Sequence, residues 1–103
     1  MSAKEKQTRI MVFGTFDGLH RGHLDFFKQA QKLAKKSLLI VSIARDKNVK
    51  KIKGHLPIYN EKKRVLLVKK SAPNAKVILS GVEKHIPHIA KEYPDIIALG
   101  YDQ

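Results

Sequence analysis

The 103-residue sequence contains no cysteine. This absence excludes a disulfide framework, a cysteine-ligated zinc site and a thiol nucleophile, and it suits the reducing cytosol, so we expect a cytoplasmic protein. No apolar run approaches the roughly 20 residues that a membrane-spanning helix needs. The polar, lysine-bearing segment 1–9 is not followed by the apolar core of a signal peptide. We therefore expect no membrane partner, and we interpret residues 1–8 as a short flexible lead-in.

Acidic residues are scarce: nine Asp and Glu stand against 21 Lys and Arg, a formal net charge of +12. Such a surplus favours polyanionic partners, namely nucleic acid, nucleotides or phosphorylated metabolites. A solvated surface with only non-specific attraction to polyanions explains the surplus equally well. Aromatic residues make up only 7% and form no evident stacking platform, which weighs against a nucleic-acid-binding domain. Such a domain, or an inactive nucleotide-binding one, is the alternative from another functional class.

Hydrophobic residues make up 43% of the sequence, enough for one small folded domain, which we place at residues 9–103. Apolar runs typical of strands alternate along it with helical patterns. The predicted strands are residues 9–13, 38–44, 76–79 and 96–99, the predicted helices are residues 22–36, 61–70 and 82–93, and residues 45–54 form a basic loop. This alternation predicts an α/β fold: a Rossmann-like parallel sheet with helices on both faces.

Residues 14–23, with the sequence GTFDGLHRGH, stand between the first predicted strand and the first predicted helix. A helix N-terminus offers unpaired N–H groups and the positive end of its dipole, and glycines let the backbone approach a phosphate closely. His20 and His23 add side-chain donors at the same place. The segment therefore predicts a site for the phosphates of a nucleoside triphosphate. On spacing alone, a structural pair made of a capping and a core histidine is the alternative.

The carboxyl ends of parallel strands form one edge of a sheet, and ligands bind there near a topological switch point. The first strand runs into Gly14, and the fourth is followed by Gly100 and Asp102. We expect both ends to line one crevice, with an ordinary chain end as the alternative for the second.

The motifs GTFD at 14–17 and HRGH at 20–23 resemble the GTFD and HxGH motifs of the cytidylyltransferase-like nucleotidyltransferases. The segment IIALGYDQ at 96–103 is similar to the fourth-strand segment of that family, particularly in the archaeal FAD synthase branch, and SIARD at 42–46 fits that branch too. The resemblance implies a nucleotidylyltransferase-type Rossmann-like fold. It also implies transfer of a nucleoside monophosphate, with ATP favoured as donor, to a phosphorylated acceptor such as FMN, with release of pyrophosphate.

Glycerol-3-phosphate cytidylyltransferases share the first motif. A CTP-dependent enzyme acting on glycerol 3-phosphate or another phosphorylated alcohol is therefore the alternative within the same class.

The resemblance also implies roles for individual residues. His20 and His23 would be the catalytic residues, which bind the triphosphate and stabilise the transition state. The remaining nucleotide-binding candidates are Gly14, Thr15, Phe16, Asp17, Gly22, Gly100 and Asp102, and Asp17 fits a turn cap as well. Candidates for binding the triphosphate or the acceptor's phosphate are Lys50, Lys51, Lys53 and Arg64. Mg²⁺ is expected to arrive with the nucleotide, and no metal site of the protein's own is expected.

Members of that family continue beyond the fourth strand into a signature similar to ISTT or SSTxxR, followed by a helix, whereas this sequence ends at Gln103. We therefore expect the last strand–helix unit to be missing. Three interpretations follow: the sequence is a fragment, a partner such as a second copy in a homodimer supplies the segment, or the protein is inactive.

Overall fold

The computed structural model of the chain describes residues 7–80 and 94–98. The strands in that part of the chain are β1 (Thr8–Gly14), β2 (Ser37–Ile43), β3 (Lys76–Leu79) and β4 (Ile96–Ala98), and the helices are α1 (Arg21–Gln31), α2 (Asp46–Lys53) and α3 (Glu61–Ser71). All strand pairs are parallel, and the order across the sheet is β3-β2-β1-β4. The predicted α/β fold with a Rossmann-like parallel sheet is confirmed.

The core forms because the two central strands are apolar on both faces. Ile10 and Val12 of β1 pair with Leu39 and Val41 of β2, and these four belong to one buried cluster. The same cluster contains Phe27 and Ala30 of α1 and Val68 of α3. The alternate residues Met11 and Ile40 are also fully buried, and they face the other side of the sheet. The predicted helix 82–93 lies outside the described residues.

Helix α1 is shorter than predicted, because it ends at Gln31 and not at Lys36. After Gln31 the bonding tightens: the N–H of Leu33 donates to the carbonyl of Ala30, three residues back, at 3.1 Å. The hydroxyl of Ser37 donates to the Gln31 carbonyl at 2.9 Å, which satisfies one of the free groups at the helix end. Leu33, which follows the end of the helix, is 56% exposed.

The prediction of a basic loop at 45–54 is wrong, since most of that segment is helix α2. Val49 is the one buried side chain of α2, so the sequence of this segment lacks the apolar stripe that would predict a helix. Lysine is nevertheless a good helix former, Asp46 stands in the first turn, and Gly54 follows the last turn in the left-handed conformation with a φ of 84°. The local end signals are those of a helix, even though the periodicity is missing.

Helix α3 begins where it was predicted to begin. Asn60 is the N-cap residue, because its side chain accepts a hydrogen bond from the N–H of Lys63 at 2.9 Å. The helix runs one residue beyond the predicted end, to Ser71.

The strand order creates a switch point beside β1. The chain runs from β1 to β2 and β3 on one side, and then returns to β4 on the other side of β1. The Asp95 N–H donates a hydrogen bond of 2.8 Å to the Arg9 carbonyl, directly before the first residue of β4 that pairs with β1. The carboxyl ends of β1 and β4 are therefore neighbours, which is where such sheets bind nucleotides.

Candidate active site

The N-terminus of α1 is capped by the two histidines themselves. His20 is the N-cap residue, with extended backbone, and its Nδ1 accepts a hydrogen bond from the N–H of Gly22 at 3.1 Å. In return, Nδ1 of His23 accepts from the N–H of His20 at 3.3 Å. This reciprocal arrangement does what a Ser or Thr with a Glu three residues later does in other helices.

These caps fix the hydrogen positions on the imidazoles. A ring nitrogen that accepts a hydrogen bond carries no hydrogen, so the tautomer that fits these caps has its hydrogen on Nε2, which makes each Nε2 a donor. The ring centroids lie 4.0 Å apart. His23 is buried, whereas His20 is exposed. The first turn of α1 contains no acidic residue, so no side-chain anion there competes with a phosphate for the positive end of the dipole.

Phe16, in the turn before the helix, has a strained backbone conformation. The φ of Phe16 is 53°, which lies in the left-handed region that bulky residues rarely adopt. The ring is buried against the edge of the His23 ring and against Phe27, each with a centroid separation of 5.4 Å. The ring passes so close to Gly14 that a Cβ there would lie 2.7 Å from Phe16 Cζ. Glycine at 14 is therefore required by packing.

Asp17 holds the connection between α2 and α3 against this turn. Its Oδ2 accepts from the N–H of Ile58 at 2.7 Å, and its Oδ1 accepts from the N–H of Tyr59 at 2.9 Å. Asp17 was predicted to bind the nucleotide, with a turn cap as the alternative. Both of its oxygens instead bind backbone more than forty residues away along the chain.

Arg64 is fully buried beneath the turn. Its Nη1 donates to the carbonyls of Thr15 at 2.8 Å and Ala44 at 2.7 Å, and its Nε donates to the carbonyl of Tyr59 at 3.0 Å. Its Nη2 lies 2.6 Å from Oδ1 of Asp46. Each nitrogen of the guanidinium thus has a partner within the protein, a geometry that positions the turn and the end of β2 relative to α3.

The N-termini of α2 and α3 are capped by each other's carboxylates, a pairing that the sequence prediction missed. The N–H of Asp46 donates to Glu61 Oε1 at 2.9 Å, and the N–H of Glu61 donates to Asp46 Oδ2 at 3.2 Å. Arg45 links the start of α2 to the residue that follows β3, because its Nε donates to the Ser80 carbonyl at 2.6 Å. An acidic residue at each helix start was the available signal, but nothing local indicated that the two starts meet.

The lysine candidates lie on α2, and all three are exposed. Lys50 lines an open cleft of about 620 Å³ between α2 and the start of α3, together with Lys47, Lys62 and Leu56. Lys51 and Lys53 do not line it. The structure thus separates one of the three predicted lysines from the other two.

Gly22 lies beside the imidazoles, and its N–H is bonded to His20. Gly100 and Asp102 fall outside the described residues.

Within residues 7–80 and 94–98, no group of three or more His, Cys, Asp or Glu side chains could hold a metal ion. In the same part of the chain, no helix has the length and apolar character needed to cross a bilayer.

Residues 11–103 match the family model described as Cytidylyltransferase-like. The chain belongs to this family. The match begins inside β1 and includes residues 14–23, to which we refer as the histidine-capped turn.

The chain is also similar to individual curated proteins. A protein of Korarchaeum cryptofilum (strain OPF8) named FAD synthase is 44% identical over 100 residues, which cover 96% of this chain and 67% of that protein. An FAD synthase of Archaeoglobus profundus (strain DSM 5631 / JCM 9629 / NBRC 100127 / Av18) is 45% identical over 95 residues, 92% of this chain and 59% of the relative. The chain spans about two thirds of the length of the curated relatives it matches, or somewhat less.

A solved structure shares the fold. The crystal structure of the lipopolysaccharide core biosynthesis protein from Thermoplasma volcanium GSS1 superposes with a TM-score of 0.84 at 35% sequence identity, covering 95% of this chain and 78% of that one.

Proposed function

We propose that this cytidylyltransferase-like protein transfers AMP from ATP to FMN, which forms FAD and releases pyrophosphate. The observation that carries the choice of substrates is the set of relatives named FAD synthase, which are 37% to 45% identical over 92% to 96% of the chain. The family model is described as Cytidylyltransferase-like, so CTP with glycerol 3-phosphate or another phosphorylated alcohol is the second candidate pair of substrates.

The reaction needs no general base. An oxygen of the acceptor's phosphate attacks the α-phosphorus, the bond to the oxygen that bridges to the β-phosphorus breaks, and pyrophosphate leaves with that electron pair. An ionised phosphate is already a nucleophile, so catalysis consists of bringing two anions together and neutralising the charge that builds up on the α-phosphate and the leaving group.

In this proposal the α1 N-terminus receives the triphosphate. The Nε2–H groups of His20 and His23 donate to phosphate oxygens, as expected from the caps that occupy both Nδ1 atoms. The backbone of Gly14, Thr15 and Phe16 shapes the site, and the helix dipole adds its favourable potential. Mg²⁺ enters as part of the substrate, MgATP, and screens the charge on the phosphates.

The proposal predicts that MgATP stabilises the protein and that both histidines are needed for turnover. A hundredfold excess over Kd stabilises a protein by about 2.7 kcal/mol, which corresponds to a rise in Tm of roughly 10–20 °C for a domain of this size. His20→Ala and His23→Ala each remove one donor, and each should lower kcat by about 10²–10³-fold. Gln29→Ala, an exposed change on the same helix, is the matched control and should leave kcat unchanged.

The measurement is a pyrophosphate-release screen that crosses ATP and CTP with FMN, glycerol 3-phosphate, phosphoethanolamine and phosphocholine. Release only with ATP and FMN supports the proposal, and release with CTP and a phosphorylated alcohol selects the second candidate. MgATP binding without release in any combination would instead identify an inactive nucleotide binder.

A further inference from the structure

The connection between α2 and α3, residues 55–59, lies directly on the histidine-capped turn; we refer to it as the rim segment. Asp17 binds the N–H groups of Ile58 and Tyr59 at 2.7 and 2.9 Å, and it precedes His20 by only three residues. Tyr59 also lies against Gly18, at 3.8 Å from the position that a Cβ would take there. The rim segment is thus fixed at the mouth of the proposed nucleotide site.

The rim segment exposes two large apolar side chains. Ile58 is 87% exposed and Leu56 is 58% exposed. Folding gains little from apolar side chains that remain in water, so their place beside a candidate site points to a contact made with a ligand. Leu56 also borders the cleft that is lined by Lys47, Lys50 and Lys62. Two acidic residues line the same cleft, Asp46 and Glu61, and both carboxylates are already bound to a helix N-terminus and to an arginine. The surface therefore combines apolar contact area with positive charge, which suits a phosphorylated molecule with an apolar ring system.

The topology separates this surface from the switch point. The switch point lies between β1 and β4, whereas α2 follows directly on β2, on the opposite side of β1. A nucleotide at the switch point would leave the β2 side for the second substrate. The histidine-capped turn at the end of β1 lies between the two, which is where the acceptor's phosphate has to meet the α-phosphate.

We propose that Leu56 and Ile58 bind the apolar ring system of the phosphorylated acceptor, and that Asp17 is the positioning residue that holds them beside the reacting phosphates. The inference rests on the proposed function and adds to it the residues that select a flavin over a small phosphorylated alcohol. A second copy of this chain is a poorer occupant, because two surfaces of the same positive charge repel each other.

The first test changes the apolar side chains. Leu56→Asn and Ile58→Asn should each raise the KM for FMN about tenfold or more, the scale of discrimination that apolar contacts provide, while the KM for ATP changes less than about twofold. Flavin fluorescence quenching should report the same loss of FMN affinity without turnover. Leu66→Asn, which alters a leucine of α3 that is 65% exposed, is the matched control and should change neither quantity.

The second test changes the positioning residue. Asp17→Asn keeps one acceptor oxygen for the rim segment, whereas Asp17→Ala keeps none. The KM for FMN should therefore rise in the order wild type, Asn, Ala, with the KM for ATP unchanged. If Asp17 had a merely structural role, its variants would instead lower Tm and active-site content without this graded rise in the KM for FMN.

The outcomes separate the two proposals. If the wild-type chain converts FMN and the Leu56 and Ile58 variants do so with unchanged KM, the rim assignment is wrong and the proposed function stands. If the wild-type chain neither binds nor converts FMN, the proposed function fails and the rim assignment fails with it. If the variants alter only the mass in solution, measured by light scattering, the apolar pair is a contact between copies and the rim assignment is overturned.

Discussion

His20 and His23 cap a helix with imidazole nitrogens, where Ser, Thr, Asn or Asp is the usual residue. The capping and the catalytic interpretations of the two histidines are therefore compatible. The cap uses Nδ1 and fixes each ring, and the same tautomer presents a donor at Nε2. A Ser at position 20 would cap the helix as well, but it would lack a ring donor for a phosphate. This difference explains why a helix start of this unusual composition is itself a functional signal.

Gly14 offers a residue-scale test of the turn. Gly14→Ala places a methyl group 2.7 Å from Phe16 Cζ and 2.8 Å from Cε2, so the buried ring has to move. We expect a loss of about 1–3 kcal/mol in the free energy of unfolding, the usual cost of overpacking, measured by urea denaturation. Because the same ring packs on His23, MgATP affinity should fall too.

The control for this prediction is the double variant Gly14→Ala, Phe16→Leu. The shorter leucine side chain removes the clash, so the double variant should lose less stability than the two single changes added together. Simple additivity would contradict the packing explanation.

At the scale of elements, one buried guanidinium joins β1, β2, α2 and α3. Arg64→Lys keeps the charge, but a single ammonium cannot reach four acceptors placed around a planar fork. Each buried carbonyl left without a donor costs about 1–3 kcal/mol, so we expect a loss of at least about 2 kcal/mol in urea denaturation. Lys69→Ala, an exposed change in the last turn of the same helix, should stay within about 0.5 kcal/mol of the wild type.

Helix α2 provides a second element-scale prediction. Gly54 ends it with a φ of 84°, its N–H donates to the Lys50 carbonyl at 2.9 Å, and a Cβ would meet nothing within 4 Å. Gly54→Ala should therefore cost about 1 kcal/mol through backbone conformation alone, seen as a lower Tm and faster amide exchange in α2. Gly54→Asn should cost less, because asparagine tolerates the left-handed region better. Equal losses for Ala and Asn would rule out this explanation.

At the scale of the whole molecule, the net charge of +12 predicts non-specific attraction to polyanions. Binding of a single-stranded oligonucleotide should weaken steeply with salt, with a slope of log K against log salt of about −0.7 per phosphate contacted. His20→Ala should leave this binding unchanged, because it depends on summed charge and not on the α1 N-terminus. Fluorescence anisotropy at several salt concentrations measures the slope. Tight, salt-insensitive binding would instead favour a dedicated nucleic-acid site.

Most of the fold could be predicted because its signals are local. The apolar runs of β1 and β2 and the Asn60 cap are each encoded within a few residues, and the alternation of strands and helices specifies a parallel sheet. Helix α2 was missed because its one buried residue, Val49, produces no periodicity. The end of α1 was misplaced because a hydrogen bond from Ser37, the first residue of the next strand, helps to close the helix.

The sequence by itself determined the family and the strand–turn–helix segment that carries His20 and His23, because these residues are neighbours along the chain and their spacing sets their geometry. Only the tertiary structure decided the roles of Asp17 and Arg64. Their partners lie between 5 and 49 residues away in sequence, and most are backbone groups, which every residue type carries. Local patterns do not encode such pairings; they arise only when the sheet brings the ends of β1 and β2 together with the starts of α2 and α3.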